Sequence, residues 1–235
     1  MSRTPETGGP ERGSESNAES STESNAEHNI TTGPLRIWLV RHGLTGWNLE
    51  GRWQGWSDTP LHDDGRAQAQ GLRARFAGKS FDAVISSDLS RASETAQIAG
   101  FEPSLEPRLR EVNFGDFEGG LNSDNTKLEA FQHWIEDPLH RRTPNGESYA
   151  DLQTRVLDWL ETLPDSGDVL TFSHGGTIQV LITSLLKIPP LAASRIWTLR
   201  VLHSSISVLE RWETPTGRVW TLERLNDTAH LETTQ

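Results

Sequence analysis

The feature of this sequence that most restricts its fold is a pair of short apolar runs, each followed by a histidine and a glycine. The first run, residues 35–40, leads through Arg41 to His42, and the second run, residues 169–172, leads to His174. Short apolar runs bounded by turn residues are typical of buried strands. Ligands of open α/β sheets bind beyond the carboxyl ends of the strands. Parallel pairing of the two strands would therefore place His42 and His174 side by side at that edge.

The rest of the chain alternates between helix and strand patterns. A third buried strand is predicted over residues 81–85, and two alternating segments joined by the turn at residues 214–217 predict an antiparallel hairpin near the C-terminus. This order predicts an α/β fold of three layers (α/β/α), with a mostly parallel central sheet and a C-terminal antiparallel hairpin. The helices are predicted over residues 65–76, 127–135, 148–160 and 177–186, and the hairpin strands over 205–212 and 218–225.

Side chains that can cap helices precede two of these elements. Asp63 or Asp64 can cap the helix that follows the first strand, and Ser87 or Ser90 can cap the helix after the second. Arg91 then falls in the first turn of its helix, where a cation opposes the helix macrodipole unless an anion is also bound. A bound phosphate would satisfy both the helix and the arginine.

Composition excludes several classes of function. Residues 1–33 are rich in Ser, Glu, Thr, Asn and Gly, so we expect a disordered acidic tail before a single domain over residues 34–235. The formal net charge of −11 argues against a nucleic-acid partner, and the absence of cysteine excludes disulfides and thiolate metal sites. No apolar run approaches the roughly 20 residues of a membrane span, and the N-terminus lacks the apolar core of a signal peptide, so we expect a cytoplasmic protein with no membrane partner.

Two histidines and two arginines in one pocket would suit phosphoryl transfer. Arg41 offers a fixed fork of donors for an anion, and Gly43 would let the backbone approach a ligand closely. One neutral imidazole would attack phosphorus and become a phosphohistidine, while the arginines and the second histidine hold the non-bridging oxygens. The arginines would also lower the pKa of the attacking histidine. Glu111 is the acid best placed by sequence to protonate the leaving oxygen and then to take a proton from water.

Four segments, in this order, resemble the histidine phosphatase superfamily, also called phosphoglycerate-mutase-like, and the resemblance extends from Leu35 to about Leu231. It implies that fold, with no metal or organic cofactor. By resemblance, His42 is the phosphorylated nucleophile and Glu111 is the proton donor. The four segments are Arg41-His42-Gly43-Leu44-Thr45 with Asn48, Ser87 through Arg91 to Ala96, Glu111 before Phe114-Gly115, and Ser173-His174-Gly175-Gly176.

Further site residues come from the resemblance and from position in the loops. Arg41, Arg91 and His174 would bind phosphate, and Thr45 and Asn48 fall where the family places polar groups near the phosphate. Gln54, in the Trp- and Gly-rich loop over residues 47–61, and Gly175 are further candidates for substrate binding. A second loop carboxylate, Glu118, is expected to fix the loop. Three tryptophans of the first loop, Trp47, Trp53 and Trp56, are candidate contacts for the organic part of the substrate, whereas His133, His140, His203 and His230 are expected to be structural or solvated.

The stretch between Glu111 and His174 is shorter than the insertion of phosphoglycerate mutases, and it adds no basic cluster beyond Arg141 and Arg142, which we expect on the surface. The sequence therefore favours a phosphomonoesterase that acts on small phosphorylated metabolites and resembles the bacterial broad-specificity and alpha-ribazole phosphatases. Two alternatives stay open: a cofactor-dependent phosphoglycerate mutase, and a catalytically silent relative that only binds phosphorylated ligands. The sequence leaves the oligomeric state undetermined.

Overall fold

The two apolar runs form the centre of one mixed sheet. The computed structural model describes residues 33–189 and 199–232, so the tail predicted for residues 1–33 lies, apart from Gly33, outside the described ranges. Within those ranges the sheet has six strands. They are β1 (Leu35–Arg41), β2 (Ala83–Ser86), β3 (Ser104–Leu105), β4 (Gly167–Ser173), β5 (Ile206–Thr214) and β6 (Gly217–Asp227).

The strand order is β3-β2-β4-β1-β5-β6, which places the two histidine-bearing strands next to each other. β1 pairs in parallel with β4, and Arg41 lies opposite Ser173 at their shared end. β2 lies parallel to β4 on its other side, whereas β5 and β6 run antiparallel beyond β1. The predictions of a mostly parallel sheet and of a C-terminal hairpin are therefore confirmed.

Alternating side chains of β1 belong to two different cores, which makes the fold three layers deep. Ile37 and Leu39 pack with residues of the helices that precede and follow β4. Trp38 and Val40 pack on the opposite face, in a second cluster that includes Leu72 of the helix Asp63–Arg75. The helices are α1 (Gly46–Glu50), α2 (Asp63–Arg75), α3 (Ser90–Ile98), α4 (Asn122–Asn125), α5 (Glu129–Glu136), α6 (Tyr149–Leu160) and α7 (Gly175–Leu185), with 3₁₀ turns at Pro107–Leu109, Gly115–Phe117 and Ala229–Leu231.

Two predicted caps are wrong. The N-cap of α2 is His62, whose Nδ1 accepts from the backbone N–H of Asp64, so neither aspartate caps the helix. The N-cap of α3 is Leu89, which makes no side-chain hydrogen bond. Ser87 lies two residues too early and binds a histidine, as described below, and Ser90 is already the first helical residue. By contrast, the capping box of Ser148 and Asp151 at the start of α6 is present.

The loop predicted over residues 47–61 begins with a short helix, α1, that hydrophobic periodicity did not reveal. Thr45 is its N-cap, and Asn48 completes a capping box. Gly43, expected to face a ligand, instead faces α2: a Cβ atom there would lie 2.5 Å from the carbonyl oxygen of Gly65. No helix in the described ranges is long and apolar enough to cross a membrane.

Candidate active site

The side chains that follow β1 and β4 meet at the carboxyl edge of the sheet. His42 and His174 come directly after the paired residues Arg41 and Ser173, and their ring centroids are 5.2 Å apart. Both rings are almost fully buried, with 3% exposure for His42 and 0% for His174. The expectation that parallel pairing would bring the two imidazoles together is confirmed.

His42 is held as a neutral imidazole with one nitrogen available. Its Nδ1 lies 2.7 Å from the carbonyl oxygen of Gly43, so this nitrogen carries the proton and donates. The lone pair then resides on Nε2. Burial lowers the pKa of His42 well below its usual value, and the positive charges of Arg91 and Arg41 lower it further. The geometry and the charges both favour the nucleophilic form.

His174 is oriented by Ser87 at the end of β2. The Oγ of Ser87 lies 2.8 Å from Nε2 of His174 and also accepts the backbone N–H of Leu89. The serine hydroxyl hydrogen is thus free to be donated to Nε2, which leaves the ring proton on Nδ1. Nδ1 has no hydrogen-bond partner among the described residues. Burial lowers the pKa of His174, and so do Arg91 and His42.

Two arginines lie beside the histidines, Arg91 buried and Arg41 partly buried. Arg41 donates from Nη1 to the carbonyl oxygen of Val201 at 2.6 Å, and Arg91 donates to the carbonyl oxygens of Gly55 and Ser57 at 2.7 and 3.0 Å. Burial lowers the pKa of each guanidinium to about 10, so both stay charged at neutral pH. Neither Nε–H finds a partner within the described ranges. Such unpaired buried donors are suited to the oxygens of a phosphate.

Glu111 reaches the same site from the loop between the 3₁₀ turns. Its Oε2 accepts the backbone N–H of Gly176 at 2.9 Å, and its Oε1 accepts the N–H of Val112 at 2.9 Å. A Cβ atom on Gly176 would lie 2.3 Å from Oε1, so only glycine allows this approach. The other loop carboxylate, Glu118, accepts from the backbone of Phe114, Trp56 and Ser57, which confirms that it fixes the loop.

Arg41, His42, Arg91 and Glu111 line a cavity of about 620 Å³, which is far larger than a phosphate group. His174 is not among the lining residues and lies behind them, against the ring of His42. The remaining wall of the cavity contains an apolar side, formed by Trp53, Phe114 and Leu199. Of the predicted site residues, those that line the cavity are Arg41, His42, Asn48, Gln54, Arg91, Glu111 and Gly175.

Thr45 does not line the cavity and supports two residues that do. Its backbone N–H donates to Oδ1 of Asn48 at 3.2 Å, and Oε1 of Gln54 lies 3.0 Å from its hydroxyl and accepts from the hydroxyl of Thr59 at 2.6 Å. Because these contacts engage both amide oxygens, the amide nitrogens of Asn48 and Gln54 remain as donors for the cavity.

Among the described tryptophans of the first loop, Trp53 alone lines the cavity. Trp56 instead donates to the carbonyl oxygen of Glu111 at 2.8 Å.

Sequence reasoning missed the segment that precedes β5. Leu199, Arg200 and Val201 line the cavity, and the ring centroid of His203 is 5.9 Å from that of His42. The Nε2 of His203 is buried without a partner in the described part of the chain. Burial lowers the pKa of His203 to about 3, aided by the charges of Arg41 and Arg200.

A strained turn ties this segment to the end of β1. Ser204 is buried and has a φ of +52°, in the left-handed region that favours glycine. Its N–H lies 3.1 Å from the carbonyl oxygen of Arg41, and the N–H of Arg41 donates to the carbonyl oxygen of Ser205.

Neither Arg141 nor Arg142 lines the cavity; they pair with Glu136 and Asp151. The described residues also contain no group of three or more His, Asp or Glu side chains placed to hold a metal ion.

Comparison with known proteins gives consistent matches over this fold. A family model described as the histidine phosphatase superfamily (branch 1) matches residues 37–228. A probable phosphoglycerate mutase GpmB from Serratia proteamaculans is 36% identical over 211 residues, covering 85% of this chain and 96% of that protein. A putative alpha-ribazole-5'-P phosphatase from Escherichia coli is 32% identical, with a TM-score of 0.72 and coverage of 83% of this chain and 97% of that one. A mycobacterial glucosyl-3-phosphoglycerate phosphatase, solved as a complex with VO3, is 30% identical with a TM-score of 0.67, covering 82% and 98%.

Proposed function

Because the chain belongs to the histidine phosphatase superfamily (branch 1), we propose that it is a phosphomonoesterase that hydrolyses small phosphorylated metabolites through a phosphohistidine. The observation that carries this proposal is the convergence of groups on one cavity. His42 with a free Nε2, two charged arginines and the carboxyl of Glu111 line the same space, and His174 packs against His42.

In the first step, the Nε2 lone pair of His42 attacks phosphorus, and the bond between phosphorus and the ester oxygen breaks. Glu111 transfers its proton to the departing oxygen, which leaves as an alcohol. Arg41, Arg91 and the Nδ1–H of His174 hold the non-bridging oxygens, where negative charge lies in the transition state. The proton of His42 stays on Nδ1 throughout, where it is donated to the carbonyl oxygen of Gly43.

In the second step, the Glu111 carboxylate takes a proton from water while the water oxygen attacks phosphorus. The bond between phosphorus and nitrogen breaks, and its electron pair returns to Nε2 of His42. Inorganic phosphate leaves, and both residues return to their starting state. The backbone N–H of Gly176 keeps Glu111 oriented for both transfers.

The test is phosphate release from 4-nitrophenyl phosphate and from a panel of phosphorylated metabolites, without added metal, by the protein and by His42→Ala. We expect the variant to lose at least 10³-fold in kcat, since the nucleophile is removed. Quenching with base during turnover should trap an acid-labile phosphoenzyme in the wild type alone. Full activity of His42→Ala, or a stable ligand complex without phosphate release, would contradict the proposal, and the latter would favour a silent binding protein.

A mutase is the second candidate, because relatives named as probable phosphoglycerate mutases are 36% identical to this chain. The two activities differ in the fate of the phosphohistidine. A mutase transfers the phosphoryl group to a second hydroxyl, whereas a phosphatase transfers it to water. Incubation with 3-phosphoglycerate and its bisphosphorylated cofactor separates them: we expect free phosphate and glycerate in excess over 2-phosphoglycerate. Solved structures named as an alpha-ribazole-5'-P phosphatase and a glucosyl-3-phosphoglycerate phosphatase, 32% and 30% identical to this chain, support the phosphatase.

A further inference from the structure

We propose that Arg155, on α6, is a positioning residue that fixes where Glu111 enters the cavity and so governs the expulsion of leaving groups that need a proton. Arg155 does not line the cavity. It acts on the backbone of the loop that carries the acid. The inference rests on the proposed function, because it concerns the proton donor of that reaction.

The guanidinium of Arg155 binds the backbone on both sides of the acid's attachment point. Nη1 donates to the carbonyl oxygens of Arg108 and Arg110 at 2.7 and 2.8 Å, and Nη2 donates to that of Glu111 at 2.7 Å. Three carbonyl oxygens within four residues therefore converge on one side chain. Guanidinium supplies the required number of donors in a rigid plane, which a lysine does not.

Glu147 holds the guanidinium in place and closes the arrangement. Its two carboxylate oxygens accept from Nε and Nη2 of Arg155, each at 3.0 Å. Glu147 also accepts the backbone N–H of Asn113 at 2.9 Å, and its own N–H donates back to the Asn113 carbonyl oxygen at 2.8 Å. The pair thus binds the loop before and after Glu111. The side chains of Arg155 and Glu147 are only 16% and 17% exposed, so water competes little for these bonds.

The carboxyl of Glu111 is therefore fixed from two directions. Behind it, its carbonyl oxygen accepts from Arg155 and from the indole N–H of Trp56. In front, Gly176 and Val112 donate to the carboxylate. Without Arg155, the carbonyl oxygen of Glu111 keeps only the bond from Trp56, while Ser173 and Thr177 still hold the carbonyl oxygens of Leu109 and Arg110. The loop therefore stays attached, and the acid can shift at its own residue. Proton transfer requires hydrogen-bond reach, and a displacement of about 1 Å costs on the order of 100-fold in a rate that depends on it.

The experiment compares Arg155→Met with the wild type on two esters that differ in their need for a proton. Glycerol 3-phosphate releases a basic alkoxide that must be protonated, whereas 4-nitrophenyl phosphate releases a stable phenolate. Both esters share the hydrolysis of the phosphohistidine, in which Glu111 also acts, so the quantity to compare is kcat/KM, which reports the steps up to formation of the phosphohistidine. We expect kcat/KM for glycerol 3-phosphate to fall about tenfold to 100-fold, with kcat/KM for 4-nitrophenyl phosphate within about threefold. Arg142→Met is the matched control, since Arg142 also contacts α6, through Asp151, but binds no part of the acid loop.

Glu147→Gln serves as a second variant and should give the same selective loss, while Arg155→Lys should restore part of the rate. A general loss of folding or of phosphate binding would lower kcat/KM for both substrates in parallel. That result in both Arg155→Met and Glu147→Gln would overturn the inference. Unchanged hydrolysis of glycerol 3-phosphate by Arg155→Met would also overturn it. Failure of the wild type to hydrolyse either ester would instead refute the proposed function.

Discussion

Replacing His203 with glutamine should make the free energy of unfolding of the protein less sensitive to acid. The ring of His203 is mostly buried, with its centroid 5.9 Å from that of His42, and its pKa is lowered to about 3 by burial and by the charges of Arg41 and Arg200. In the unfolded chain the same imidazole has a pKa of about 6.5. Glutamine retains a polar amide of similar reach but takes up no proton.

The sign follows from proton binding. Between pH 6.5 and about 3, the unfolded chain binds a proton at His203 and the folded protein does not, so acid favours unfolding. The contribution of neutral His203 to the free energy of unfolding is fully present above pH 6.5 and is lost as the pH falls below that value. Integrating between pH 7.5 and pH 5.0 gives a loss of about 2 kcal/mol in the free energy of unfolding for this one histidine.

Urea unfolding at pH 7.5 and 5.0, followed by tryptophan fluorescence, measures the effect. The free energy of unfolding of His203→Gln relative to the wild type should rise by about 2 kcal/mol on moving to the lower pH, whatever its offset at pH 7.5. His140→Gln is the control, since this histidine is exposed and far from the cavity. An offset that is equal at both pH values would show that His203 takes up its proton as readily when folded as when unfolded.

Three further predictions concern the site and its support. Because burial and the two arginines lower the pKa of His42, kcat/KM corrected for ionisation of the substrate should stay level as the pH falls from 7.5 to about 5.5, and a midpoint near 6.5 would contradict the neutral nucleophile. Arg200 is an exposed cation at the cavity with no carboxylate partner among the described residues, so Arg200→Gln should raise KM for 3-phosphoglycerate about fivefold and leave KM for 4-nitrophenyl phosphate unchanged. Arg142→Gln is the control, and an equal change in KM for both esters would exclude contact between Arg200 and the carboxylate of 3-phosphoglycerate. Gly65→Ala should destabilise the protein by about 2–4 kcal/mol in urea unfolding, since the added Cβ would lie 2.0 Å from the carbonyl oxygen of Leu44, whereas Gly46→Ala meets no atom within 4 Å and should be near neutral or stabilising.

The sequence sufficed for the parts of the site that grow out of regular strands. Apolar runs set the positions of β1 and β4, and parallel pairing then required His42 and His174 to meet. Arg41 and Arg91 followed, because each lies within two residues of an element boundary that could be predicted. Glu111 lies in a loop without periodicity, so no element boundary placed it, and only its order in the sequence and the family resemblance pointed to it.

The residues that escaped prediction depend on long-range contacts. His203 and Arg200 belong to an irregular segment whose place is decided by the pairing of β5 with β1 and by the buried turn at Ser204. Nothing local in the sequence marks these side chains. The prediction of Ser87 as an N-cap was wrong for the same reason, since a serine hydroxyl at this position can bind a helix end or the ring of His174, which is distant in sequence. Local capping preference cannot decide between two such partners.

The serine that orients His174 stands at the end of β2, so three adjacent parallel strands each supply one side chain to the same corner of the molecule. Another part of the cavity wall has a different origin, since Arg52 and Arg200 lie in connecting segments and Asn122 begins the short helix α4. The loop that carries Arg52 also holds Arg91 through the carbonyl oxygens of Gly55 and Ser57, so a foreign sequence grafted there would disturb the reaction itself. Single substitutions at Asn122 and Arg200 should instead redirect the protein to a new compound while the reaction is retained.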